Sequence, residues 1–141
     1  MKSTRAYSIV KEKMLNQDAF SIWLGIELME IREGYCKIRM IIRDEMTNGF
    51  KIAHGGITYS LADSALAFAS NSYGRMAVSI ETSISHLVKL KSGDILFAEA
   101  SEVNRTDRIG LYEVSIKNHE DTLVAKFNGT VYISSKEWEL I

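Results

Sequence analysis

The sequence predicts an α+β domain in which one antiparallel sheet wraps around one long central helix. Two observations carry this. Ile57 to Ser72 is apolar or small around most of a helical circumference, and six segments flanking it alternate apolar and polar residues with a period of two. A helix of that kind needs cover on nearly every side, and alternating strands each supply one apolar face. With 141 residues and 46% hydrophobic composition, the chain is read as one domain over 1–141 with a core of its own.

From about Thr4 to Leu24, Ala6, Val10, Met14 and Leu15 recur at helical spacing, with Ser3 or Thr4 able to cap the start, which predicts one short amphipathic N-terminal helix over about 4–24. Glu27 to Arg32 and Tyr35 to Arg43 form a hairpin about Glu33-Gly34, because Cys36, Ile38, Met40 and Ile42 alternate with Lys37, Arg39 and Arg43. Asn48-Gly49 marks a loop and Gly55-Gly56 a tight turn into the central helix, which Asn71 or Gly74 closes. Val78–Val88, Ile95–Val103, Leu111–Ile116 and Thr122–Ile133 then read as four strands in antiparallel meander order.

Composition narrows the function. Seventeen basic residues against eighteen acidic ones give a net charge of −1, with neither sign gathered into a block, which argues against a nucleic-acid partner. No apolar run is long enough to span a bilayer, Met1 to Gln17 carries charges throughout, and Cys36 stands alone. The expectation is a soluble, unprocessed protein of the cytoplasm. The absence of proline excludes prolyl isomerisation as a slow folding step.

Asp63 is the sharpest chemical signal, since a carboxylate on a buried Ala-rich helix must be paired, protonated or used. Two readings stand: it accepts hydrogen bonds from hydroxyls such as Tyr59 and Ser60 or lies at a subunit contact, or it is catalytic. Gly55 and Gly56 leave backbone N–H groups free to face an oxyanion at the positive end of the helix dipole, although paired glycines also serve any sharp turn. If Gly55 opens the helix, Asp63 lies eight residues on, about 12 Å along the axis, too far for both to act on one carbonyl. Two antiparallel copies of the helix in a dimer would bring Gly55 of one chain near Asp63 of the other. His54, His86 and His119 fall in separate segments without metal-ligand spacing, so no metal is expected. Neither a phosphate-binding glycine loop nor a G-x-S-x-G elbow is present.

The residues Asn48-x5-His54-Gly55-Gly56-x6-Asp63, with Leu61-Ala62-Asp63 and Ala67-Phe68-Ala69-Ser70-Asn71-Ser72, resemble the signature of the hotdog-fold acyl-CoA thioesterases of the PaaI-like (phenylacetic acid degradation) family. The likeness runs from about Asp18 through Ile133. It implies a hotdog fold pairing into dimers and dimer-of-dimers tetramers, with an acyl-CoA held between subunits and no cofactor beyond the CoA of the substrate. By the same resemblance Asp63 matches the catalytic carboxylate, as general base or nucleophile, Gly55 the oxyanion donor, and His54 and Asn48 residues that orient thioester and water. Ser79 stands where some relatives carry a water-holding hydroxyl. Asn48 and Ser79 also read as plain turn and strand residues, and His54 as a loop-ordering side chain.

Hydrolysis of a thioester needs an activated water, a stabilised oxyanion and little help for the thiolate, so one carboxylate and one N–H suffice. Gly56 is placed with the substrate-binding residues, Phe68 and Tyr59 are candidate walls of an aryl-acetyl or short-to-medium acyl pocket, as are Phe50 and Tyr73, and Lys89, Lys91, Arg105 and Arg108 are candidate phosphate partners. The segment from His86 to Asp94 departs from the family, whose members commonly have an aromatic residue and a Pro-Gly turn there. Two other functions fit the fold: an enoyl-thioester hydratase or dehydratase using His54 with Asp63, and a non-catalytic acyl-CoA binding protein.

Overall fold

The computed structural model describes residues 4–140. The N-terminal segment is not one helix. It begins as α1 (Arg5–Tyr7), capped by the Thr4 hydroxyl, which accepts the Tyr7 N–H; the alternative cap Ser3 lies outside the described residues. It widens into a π-helix over Ser8–Met14, tightens into a 3-10 turn at Leu15–Gln17 and stops. A separate helix α2 (Ala19–Leu24) follows. The break is at Asp18, whose carboxylate accepts the Ser21 N–H at 2.9 Å and the Ser21 hydroxyl at 2.6 Å. Aspartate competes with the backbone in a helix interior and is favoured at its cap, so the helical periodicity carries across a residue that ends one helix and starts another.

Strands β1 (Glu27–Arg32) and β2 (Tyr35–Ile41) form the expected hairpin, with Gly34 at φ 79° in the turn. Cys36, Ile38, Met40 and Ile42 are 0–1% exposed. The central helix α3 (Gly55–Asn71) begins two residues before Ile57, so that both glycines are in it. It is followed by β3 (Arg75–His86), β4 (Ile95–Arg105), β5 (Ile109–Asn118) and β6 (Leu123–Glu137).

All six strands join one antiparallel sheet in the order β1-β2-β4-β5-β6-β3. Only β4-β5-β6 is a meander; β3 pairs with β6 at the far edge rather than with β4. Burial explains the placement. Leu96, Ala98 and Ala100 of β4 are fully buried and need neighbours on both sides, whereas in β3 only Ala77 is buried. An edge suits such a strand.

Helix α3 packs across β2, β4, β5 and β3. Leu61, Leu66 and Phe68 are at most 1% exposed, each contributing roughly 1.5–3 kcal/mol by leaving water. The approach is close at Gly129 of β6, where a Cβ would come within 2.6 Å of Leu66 Cδ2. Contrary to the sequence expectation, the helix is not buried all round. Gly56, Ser60, Asp63 and Ala67, spaced four, three and four residues apart, leave a partly open stripe. Beside it β3 exposes Val78 (65%) and Ile80 (60%) on an unpaired edge.

Candidate functional site

The first turn of α3 is ordered from outside the helix. His54 has extended backbone (φ −60°, ψ 137°), and its Nδ1 accepts the Gly56 N–H at 3.0 Å, while its carbonyl accepts the Ile57 N–H at 2.9 Å. In neutral His54 the proton is therefore on Nε2. The Gly55 N–H takes no hydrogen bond among the described residues. Of the two glycines, it is Gly55 that offers a free donor where the helix dipole adds about half a positive charge.

The loop before it is pinned on both sides. The His54 N–H donates to the Met46 carbonyl at 2.8 Å, the Ala53 N–H to the Leu90 carbonyl at 2.7 Å, and Thr47 bridges Ala53. Asn48 Oδ1 accepts the Phe50 N–H at 2.9 Å, so its oxygen orders the loop and its amide N–H groups remain for other partners. Lys51 takes φ 65° to close this turn, and Phe50 at its tip is 85% exposed.

Gly55 lines a cleft of about 410 Å³ with Asn48, Thr58, His86, Lys89 and Leu90. Gly56 faces a different hollow of about 350 Å³, shared with His54, Phe20, Ile57 and Ser60. Asp63 opens into a third, of about 210 Å³, with Ser79, Ala67, Val78, Ser70 and Val131. Ser79 thus accompanies Asp63, while Gly55 and Asp63 stand in separate cavities of the same chain.

The hydroxyls that might have satisfied Asp63 are engaged elsewhere: Ser60 donates to the Gly56 carbonyl at 2.7 Å, and Tyr59 bonds Thr82. The Asp63 carboxyl is half-buried and its pKa is raised, first because burial disfavours the anion and second because the Asp18 carboxylate is near. Asp18 is tied to the same helix through Ser21, whose hydroxyl shares a 2.8 Å hydrogen bond with that of Ser64.

The remaining candidates divide. Tyr59 packs edge-on against Phe127, with ring centroids 5.5 Å apart. Phe68 is 1% exposed and belongs to the helix–sheet core, so within the subunit it walls no pocket; its helical phase turns it toward the sheet, away from the open stripe. Tyr73 donates its hydroxyl to Glu102 at 3.2 Å. Among the basic residues only Lys89 joins the Gly55 cleft. Arg105 lies 3.9 Å over the Tyr73 ring and Arg108 pairs with Asp107 at 3.4 Å and the Ile133 carbonyl at 3.3 Å, both beyond the C-terminal end of α3. His86, Thr58 and Asp18 adjoin the site without having been singled out for it. His86 carried a signal, its place in the segment that departs from the family pattern, whereas a threonine inside a helix and an aspartate before one carry none. Among the described residues, no group of three or more His, Cys, Asp or Glu could hold a metal, and no helix is long and apolar enough to cross a membrane.

Residues 50–125 match the family model of the Thioesterase superfamily. A protein of Archaeoglobus fulgidus is 39% identical over 131 residues, covering 93% of this chain and 85% of its own length. The acyl-coenzyme A thioesterase PaaI of Escherichia coli is 36% identical over 116 residues, 82% of this chain and 83% of that one. The structure of the E. coli PaaI protein, from the phenylacetic acid degradation operon, superimposes with a TM-score of 0.91 over 94% of this chain and 96% of that one, at 32% identity. A hypothetical thioesterase of Streptococcus pneumoniae solved with coenzyme A matches at 25% identity and a TM-score of 0.84, over 89% and 98% of the two chains. With the six-stranded sheet and long helix already described, these findings establish that the chain belongs to the Thioesterase superfamily, as a hotdog-fold thioester hydrolase of the PaaI-like branch.

Proposed function

We propose that the protein hydrolyses an acyl-CoA, with aryl-acetyl (phenylacetyl or hydroxyphenylacetyl) or short-to-medium acyl groups as substrates, at a site shared by two subunits. One observation carries the reading: α3 bears an uncommitted N–H at Gly55 and a half-buried carboxylate at Asp63, about 12 Å apart along its axis and in separate cavities. Neither cavity holds both parts of a hydrolytic centre. Antiparallel pairing of two α3 helices, across the open stripe and the free edge of β3, brings Gly55 of one subunit to Asp63 of the other.

In that arrangement the thioester carbonyl oxygen points at the Gly55 N–H. Asp63 takes a proton from a water, held with help from Ser79, as the water oxygen bonds to the carbonyl carbon. The tetrahedral oxyanion collapses, the C–S bond breaks, and CoA leaves as a thiolate that takes up a proton. A carboxyl raised above its ordinary range is a better base than a solvated one, and burial supplies that rise. His54 holds the Gly56 N–H so that the turn presents Gly55 alone, and the Asn48 amide borders the same cleft. Gly56 and Tyr59 bound the acyl side, and Lys89 the phosphate side. Arg105 and Arg108 serve the phosphates from the partner subunit or not at all.

The E. coli relative supports acyl-CoA as the substrate class, and its operon supports an aryl-acetyl group. The pneumococcal neighbour, solved with coenzyme A, supports a CoA-binding groove. The proposal includes further pairing into a tetramer, residence in the cytoplasm and no cofactor besides the substrate's own CoA. The test is release of free CoA, followed with a thiol-reactive dye, from phenylacetyl, hydroxybenzoyl, short-chain and long-chain thioesters by wild type and Asp63→Asn. Turnover that the substitution lowers by 100-fold or more (roughly the scale of general-base catalysis) is expected. Absence of release from every thioester would overturn the hydrolase assignment, and hydration of an enoyl thioester without thiol release would replace it.

A further inference from the structure

His86 ends β3 and overhangs the first residue of α3. Its Nε2 would stand 3.3 Å from a Cβ on Gly55, and its Cε1 3.6 Å, so the ring edge lies against that glycine. The other nitrogen, Nδ1, lies 3.2 Å from Thr58 Oγ1, and Thr58 Oγ1 is 3.1 Å from the Gly55 carbonyl. A hydroxyl has one proton. With that proton donated to the Gly55 carbonyl, Thr58 accepts from Nδ1–H, and neutral His86 is fixed as the tautomer whose Nε2 is a bare acceptor.

That acceptor takes no hydrogen bond among the described residues, and it borders the 410 Å³ cleft that also holds Gly55 and Lys89. The cleft is otherwise lined largely by aliphatic side chains, including Ile52, Leu87, Val88 and Val124. A cleft with aliphatic walls, one fixed acceptor beside the oxyanion donor and a lysine among its lining residues suits one chemistry: an arm of methylenes with an amide N–H near the thioester and an anionic end. Resting on the acyl-CoA reading above, we propose that His86 is a substrate-binding residue whose Nε2 accepts a hydrogen bond from the pantetheine amide two carbons from the sulfur. It thereby selects pantetheine-type thioesters over thioesters of simple thiols. An aromatic hydrocarbon at this position fills the same wall without that acceptor.

The test compares phenylacetyl thioesters of CoA, pantetheine, N-acetylcysteamine and ethanethiol, the last having no amide, with wild type, His86→Ala, His86→Phe and His86→Gln. For the three amide-bearing substrates, kcat/KM should fall about tenfold in the Ala and Phe variants, the size of one hydrogen bond, and recover in part with Gln. With the ethanethiol ester all four proteins should act alike. Equal losses on every thioester, or full activity of His86→Phe, would overturn the assignment while leaving the hydrolase intact. A wild type inactive on all four, and on the hydroxybenzoyl, short-chain and long-chain CoA thioesters as well, would instead remove the hydrolase reading and this one with it. Thermal melts of the Phe and Gln variants separate a folding defect from a binding one.

Discussion

Asp18 and Asp63 belong to different helices, yet the carboxylate of the first helps to hold the proton on the second, behind burial alone in its effect. Asp18 is fixed as the cap of α2 by the Ser21 N–H and hydroxyl, and Ser21 in turn meets Ser64 of α3. A structural cap thus acts electrostatically on the candidate base. Asp18→Asn keeps a good capping side chain while removing the charge. Its kcat/KM profile should have the acidic limb displaced toward lower pH, because Asp63 then ionises more readily. A limb that stays in place would show the two carboxyls to be uncoupled.

The same raised carboxyl should cost stability. A folded-state pKa above the unfolded one means that the native chain binds the proton more tightly, so stability falls as pH rises from the unfolded value through the folded one. The full penalty is present above the folded value and absent below the ordinary aspartate value of about 3.9. Asp63→Asn should therefore melt at a higher temperature than wild type at pH 7, with the difference closing in acid. Calorimetry at several pH values measures it, and a variant less stable at pH 7 would refute burial as the main cause of the shift.

His54 caps α3 through Nδ1, which predicts a separable structural role. His54→Ala should lose about 1 kcal/mol, as for other lost helix caps, and with it a few degrees of melting temperature. His54→Asn should restore the cap. If catalysis returns with stability, ordering the turn is all His54 does; if only stability returns, the imidazole also touches substrate or water.

The free edge of β3 predicts where subunits meet. Ile80→Lys places a charge on a strand that exposes Val78 and Ile80 beside the Asp63 cavity. Sedimentation should show a shift toward monomer, with hydrolysis falling in parallel. A fully active monomer would refute the shared site.

Periodicity made the central helix and the strands legible, because most apolar faces in the sequence are buried faces in the fold: Cys36, Ile38, Met40 and Ile42 are the plainest instance. Connectivity was less legible. Alternation identifies β3 as a strand but says nothing of its neighbour, and its exposed Val78 and Ile80 look in sequence like core residues of a central strand. The break at Asp18 was hidden for a related reason, since capping depends on one side chain's local bonds and the apolar spacing continues past it. At the site, Gly55 and Asp63 stood out because free donors and carboxylates are unusual on a buried helix. Phe68 misled, since an aromatic residue suits a pocket and a core equally, and only the phase of α3 decides between them. His86 contacts Gly55 across 31 residues of sequence, a closeness that the pairing of β3 with β6 creates.

Gly129 sets the height of the chemistry. Its missing side chain lets Leu66 rest almost on the backbone of β6, where a methyl group would meet Cδ2 at 2.6 Å and Phe127 Cε1 at 3.3 Å. Leu66 is 1% exposed, and the space it could yield into is the Asp63 cavity, which it also lines. Because α3 is a stiff rod carrying Gly55 at one end and Asp63 near its middle, a larger residue at 129 that displaced the helix through Leu66 would move both groups together. In the shared site proposed above, the spacing between an N–H and a carboxylate on two chains would thereby be gauged by a hydrogen atom on the sheet against which the helix rests.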